Sequence, residues 1–281
     1  MATGYADGYN QDGDRRTMMH QHIAGKVYDI ELLTPKQSSE KLEEDLDGFA
    51  AKYQTILDAG HMVCITDNPM GLLSFQGTEM IEELGLPVKP DQVSIHLNTF
   101  HTKPDLDGIL RTCIDMGISN LLIISGDGSE RLPRLAGADV GYEVESVTSV
   151  ELLRYIHREY PDAFETGVAY NPYEPQEHEM AKMRRKIDAG ASFVITQPIL
   201  GQHDELDLFL KTFDLPVVVE AWMMKKLHLL SECVGYEIPE GTVHDPIESL
   251  QTLITNYPVC GFYLSFLGFK TQLPVIGDLW R

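Results

Sequence analysis

The chain has 281 residues, 43% hydrophobic and 23% charged, with a formal net charge of −21. That length suits one large core of the size α/β barrels build, and the composition excludes a disordered chain. The acidity argues against non-specific binding to nucleic acid or an anionic membrane, and any anionic ligand would need a local basic patch.

Residues 1–24 begin polar and rich in Gly, Asp and Gln, without the apolar segment of a secretory signal. They are expected to form a flexible arm, with residues 25–281 as a single catalytic domain. From Lys26 onward, β-type runs alternate with helical patterns. The first strand is expected over 27–33 (VYDIELL), followed by a helix over 38–59. Next come a strand at 61–66 (HMVCIT), a helix near 78–84, a strand at 92–97 (QVSIHL) and a helix over 105–116. A strand at 120–125 (NLLIIS) leads through a long Gly- and Pro-containing loop to a helix near 149–159. The order continues with strand 166–170 (TGVAY), helix 175–189, strand 192–196 (SFVIT), helix 203–213 and strand 216–220 (PVVVE). Helices over 223–234 and 246–256 precede the last strand, 259–264 (VCGFYL). Short continuous β-branched runs between helices imply a parallel sheet covered on both faces. Eight units point to a closed (β/α)8 TIM barrel, with an open doubly wound sheet as the alternative. No GxGxxG follows the first strand.

No stretch reaches the roughly 18 apolar residues of a membrane span. Cys64, Cys113, Cys233 and Cys260 show no metal-type spacing. Read as buried, reduced thiols, they fit a cytoplasmic protein.

In such a barrel, chemistry sits where strands end. The first strand carries Glu31 among apolar neighbours, with Asp29 on the same face. The next strands end in Thr66-Asp67-Asn68, His96-Leu97-Asn98-Thr99, Ser125-Gly126-Asp127-Gly128, Tyr170-Asn171, Thr196-Gln197 and Glu220. One polar residue at a strand end is more often a cap or turn group, but seven around one rim define a polar, ligand-binding mouth. Glu31 should be partly desolvated, which raises its pKa toward that of a general acid. The competing reading is a buried ion pair. Asp127 between two glycines also suits a turn cap.

Glu31 in the first strand, Ser125-Gly126-Asp127 after the fourth, and Arg185-Lys186-Ile187-Asp188-Ala189-Gly190-Ala191 leading to Ile195-Thr196-Gln197 resemble the methylenetetrahydrofolate reductase family. The resemblance spans about Val27 to Ser265 and is most specific in the RKIDAGA…ITQ segment. It implies a hydride relay from NADH or NADPH through FAD to methylenetetrahydrofolate. Glu31 would then protonate the departing folate nitrogen, Asp127 would stabilise the cation that forms, and Gln197 would bind the pterin. By the same resemblance, Thr66, His96, Ser125, Gly126, Asp127, Tyr170 and Lys186 would line the flavin site. Lys186 belongs to a run with Lys182, Arg184 and Arg185, which reads equally as a basic patch or a solvated helix face. Met223 stands where the family places a substrate-holding aromatic, with Trp222 beside it. Ser125 replaces an arginine, Asn171-Pro172-Tyr173-Glu174 lacks a usual histidine, and Glu220 replaces an apolar residue. The alternatives are a flavin-free folate reductase, a methyltetrahydrofolate-handling protein of a demethylation pathway, and a non-catalytic folate- or flavin-binding subunit. The family also implies a homo-oligomer.

Overall fold

Short apolar runs flanked by turn residues form the strands of the protein, seen here as a computed structural model that describes residues 18–128 and 130–280. Helix α1 (Met18–Gly25) precedes strand β1 (Tyr28–Leu32). Then follow α2 (Leu42–Asp58), β2 (Met62–Ile65), α3 (Gly77–Glu83), β3 (Val93–Leu97), α4 (Lys103–Met116) and β4 (Asn120–Ile123). The second half holds α5 (Gly137–Val140), α6 (Ser149–Glu159), β5 (Glu165–Tyr170), α7 (Gln176–Asp188), β6 (Phe193–Thr196), α8 (Asp204–Thr212) and β7 (Val217–Trp222). It closes with α9 (Ser231–Val234), α10 (Pro246–Asn256), β8 (Gly261–Ser265) and α11 (Leu273–Ile276). The strands pair in parallel in sequence order, and β1 also pairs with β8, so the sheet is a closed barrel. The open-sheet alternative is thereby removed.

Alternation along each strand divides the core in two. Ile30, Leu32, Val63, Ile65, Val219 and Leu264 face outward and pack on the helices. Met62, Cys64, Leu122, Phe193, Ile195, Val218 and Tyr263 face inward and fill the lower barrel.

Two expectations change. The arm expected over 1–24 is helical from Met18 on, and residues 1–17 lie outside the described residues. Met19 of α1 is 1% exposed and joins the inward cluster, plugging the barrel bottom. Burying such a side chain stabilises by about 1.5–3 kcal/mol. Glu165, at the start of β5, accepts hydrogen bonds from the Met18 and Met19 N–H groups at 2.7 and 3.1 Å, satisfying donors that the helix itself leaves open. Glu165→Ala should therefore cost about 1 kcal/mol in chemical denaturation, as lost caps do, and expose the segment around Ala24 to proteolysis. The helix expected over 223–234 is instead a 3₁₀ turn, Leu227–Leu230, followed by the single turn α9. The cause is β7, which continues to Trp222, with the Met223 N–H bonded to the Ser265 carbonyl.

Candidate active site at the barrel mouth

Glu31 is placed by β1, beside Cys64 on β2, and faces the barrel interior. The Tyr263 hydroxyl donates to its Oε1 and the Phe266 N–H to its Oε2, both at 3.3 Å. Phe266 adopts φ +56°, a left-handed conformation unusual for a bulky residue, and this turns its N–H onto the carboxylate. Burial pushes Glu31 up to about 7, against the lowering effect of these two donors. The buried ion pair of the competing reading is not formed. The ion pairs among the described residues involve neither Glu31, Asp29 nor Glu220.

Asp29 lies one layer below, 1% exposed, with Oδ2 unpartnered and its pKa raised by burial to about 8. On the far side of β8 from β1, Glu220 of β7 also faces inward and is raised to about 8 by burial and by the charge of Glu31. His96 of β3 packs its ring 5.9 Å from that of Tyr263, and burial holds it down at about 4, so it is neutral. Its Nε2 and the Oγ1 of Thr66 are buried without partners. Unpaired buried polar groups are costly, and both lie on the inward face of their strands.

The rim above is braced by Asp67. Its Oδ2 accepts from the Asn98 N–H at 2.8 Å and sits 2.7 Å from His101 Nε2, while the Asn98 amide donates to its carbonyl. Gly126, at φ +77°, lies so close to Asn98 that a Cβ there would stand 2.7 Å from the Asn98 Cβ. Only glycine lets the loop after β4 descend here. Gly71, at φ +66°, packs the loop after β2 against the Asp127 and Gly128 carbonyls. Beside this contact is a cavity of about 590 Å³, lined by Lys36, Gln37, Ser38, Gly71, Leu72, Leu73, Glu130 and Arg131.

Glu31, Thr66, His96 and Gln197 converge on the mouth; Gln197 continues the inward alternation of Phe193 and Ile195, its N–H bonded to the Tyr170 carbonyl. Ser125 and Asp127 are exposed on the covering loop, with Gly126 half-buried between them. Three expected site residues lie elsewhere. Tyr170 faces the helix layer, its ring 4.5 Å from Phe209 and its hydroxyl on the Glu205 carbonyl at 3.1 Å. Lys186 is buried with its ammonium on the Ala169 carbonyl at 2.6 Å, and desolvation lowers it to about 8. Nor is the run around it one basic face: Lys182 pairs with Glu179 and Arg184 lies over the Phe213 ring. Met223 belongs to the outer core, because inward positions of β7 fall on Glu220 and Trp222. The aromatic at the inward position is Trp222, edge-on to Phe266 at 4.7 Å, with its Nε1 unpartnered. Counting by twos from Glu220 would have found it. Tyr170→Phe should accordingly cost about 1 kcal/mol of stability, the worth of one hydrogen bond, and leave ligand affinity at the mouth unchanged in a calorimetric titration.

Among the described residues, no cluster of His, Cys, Asp or Glu could hold a metal, and no helix is long and apolar enough to cross a membrane. All four cysteines are free, three of them buried.

A closed (β/α)8 barrel whose mouth gathers desolvated acids and unpaired polar groups defines a barrel of the ligand-binding class. The chain belongs to the methylenetetrahydrofolate reductase family, which it matches over residues 19–244. It is 26% identical over 192 residues to methylenetetrahydrofolate reductase 2 of Saccharomyces cerevisiae, covering 63% of this chain and 30% of the yeast protein. Among solved structures, it resembles an uncharacterized protein from Clostridium thermocellum that binds two copies of 5-methyl-5,6,7,8-tetrahydrofolic acid. The TM-score is 0.58 at 11% identity, over 88% of this chain and 91% of that one. A 2,3-dimethylmalate lyase of the PEP mutase/isocitrate lyase superfamily scores 0.50 at 9% identity, covering 93% of this chain and 83% of its own. At these identities, the two structures share the fold.

Proposed function

We propose that the chain reduces 5,10-methylenetetrahydrofolate to 5-methyltetrahydrofolate, with NADH or NADPH as reductant. The observation that carries this reading is Glu31: a desolvated carboxyl at the mouth, held by Tyr263 and Phe266, with its pKa near neutrality. Such a group is half-protonated near pH 7 and suits proton delivery to the departing ring nitrogen. Gln197 orients the pterin edge, Trp222 offers it an aromatic face, and Asp127 adds negative charge at the entrance. Family membership and the folate bound by the Clostridium thermocellum protein support a folate substrate.

The family implies FAD. Two buried, unpartnered polar atoms, Thr66 Oγ1 and His96 Nε2, fit the polar edge of a flavin ring and would hold it. When bound, the flavin carries the hydride from nicotinamide to folate, and the protein supplies position and electrostatics. A flavin-free variant of the same reaction has one observation in its favour. Where cations for the flavin phosphates are expected, Ser125 is neutral and Lys186 is spent on the Ala169 carbonyl.

Absorbance of the purified protein separates the two. A flavin spectrum that bleaches with NADH and recovers with methylenetetrahydrofolate supports the flavin route. A colourless protein that oxidises NADH only with that folate supports the direct one. No turnover in either case, with FAD supplied, would overturn the proposal.

A further inference from the structure

Glu220 has no part in the reaction as described, yet its position costs stability. On β6 the Ile195↔Val218 register brings Gln197, a neutral amide, level with Glu220, so no cation on that strand calls for an acid here. Its strand partner is Tyr263, the residue whose hydroxyl donates to Glu31. The two carboxyls therefore flank one phenol. The groups facing them are Asp29 from β1, Cys64 from β2, His96 from β3 and Ser265 from β8, with Tyr173 from the loop after β5 and Cys233 from α9. None of these carries a positive charge near neutral pH, and no ion pair among the described residues reaches either acid.

We propose that Glu31 and Glu220 act as one acid, which keeps a single proton between two carboxyls and releases it as positive charge forms on the bound folate. This rests on the folate reading of the mouth. The charge of Glu31 acts on Glu220 and both act on Tyr263; like charges that interact disfavour double ionisation, and the steps belong to the pair rather than to either residue. The raised pKa values, about 7 and about 8, agree. In the reaction the C–N bond to the departing nitrogen breaks, its electron pair stays on that nitrogen, and the nitrogen takes the proton of Glu31. The remaining N–CH₂ group becomes an iminium cation. The pair goes from one negative charge to two while the substrate gains one positive charge, so the net charge of the site is unchanged. Glu220 is the fixed counter-charge that a dry site makes effective. Hydride originating from the nicotinamide co-substrate would neutralise the cation, which would leave two unbalanced carboxylates, and the pair would take a proton back from water. The rim residue Asp127 is exposed, where water weakens any such role.

The test is Glu220→Gln, which keeps volume and hydrogen bonding. Folate reduction should fall about 100-fold, the scale of losing one electrostatic stabiliser. The alkaline limb of kcat/KM should move about one pH unit lower, because Glu31 then loses its proton without a negative neighbour. A limb that does not move overturns the proposal, since a purely structural role would lower activity at every pH alike. Infrared titration of the carboxyl C=O band in the ligand-free protein gives a second reading, with the Asp29 band identified from Asp29→Asn. The wild type should lose two coupled bands around and above neutral pH. Glu31→Gln and Glu220→Gln should each leave one band, displaced to lower pH. Undisplaced bands in both variants would overturn the pairing. Because that titration needs no substrate, absence of folate turnover overturns the functional reading alone.

Discussion

Glu31→Gln should lower methylenetetrahydrofolate reduction by about 10²–10⁴-fold, the range for removing a positioned general acid, while NADH oxidation by an artificial acceptor stays near wild type. The amide keeps the shape of the side chain and its contact with Tyr263 but has no proton to give at any working pH. Hydride transfer from nicotinamide needs no such proton, so on the flavin route the two half-reactions should separate in stopped-flow absorbance. Equal loss of both would mean that Glu31 holds the mouth together rather than donating. In the wild type, kcat/KM for the folate should fall as pH rises through about 7 to 8, where the pair gives up its protons.

The fold itself should weaken as pH rises from about 6.5 to about 8.5. Asp29, Glu31 and Glu220 all have folded pKa values above their unfolded ones, near 4. The folded state therefore binds more protons than the unfolded state in this window. Stability held at lower pH is lost as pH climbs through about 7 and about 8. His96, held at about 4, has the opposite sign, but its contribution is complete by about pH 6.5. The decline should be about 2–4 kcal/mol, reduced from the full linkage value because Glu31 is partly open to solvent. Asp29→Asn should stabilise the protein at pH 8 by about 1–3 kcal/mol, because an unpaired buried charge is costly. Urea denaturation at three pH values checks both. A flat profile would show that a cation already balances these carboxyls.

All eight strands are legible in the sequence because a parallel barrel buries both faces of each, producing dense β-branched runs such as VVV at 217–219. Glu31 is legible for the same reason, as a carboxylate with no polar neighbours. Faces are less so. Ending strand seven at Glu220 hides the fact that it runs on to Trp222, and so assigns the mouth to Met223 when alternation gives Trp222. Tyr170 is misplaced because a motif match identifies a position but not the side from which its ring projects. The Asp67–His101 contact spans 34 residues and leaves no local signature. Helix α1 carries little apolar patterning, since only Met19 and His22 are buried, and its order comes from a partner far along the chain.

That partner has a bearing on how the protein is made. Met18 and Glu165 are 147 residues apart, so α1 leaves the ribosome long before the carboxylate that receives it exists. The lower opening of the barrel stays unsealed until β5 has been synthesised and paired. Docking of α1 is thus a late event of folding, closing a contact of very high sequence separation. The Met19 side chain must stay exposed or be shielded for most of translation, so this short segment, far from any chemistry, governs how long the nascent barrel is open to misassociation.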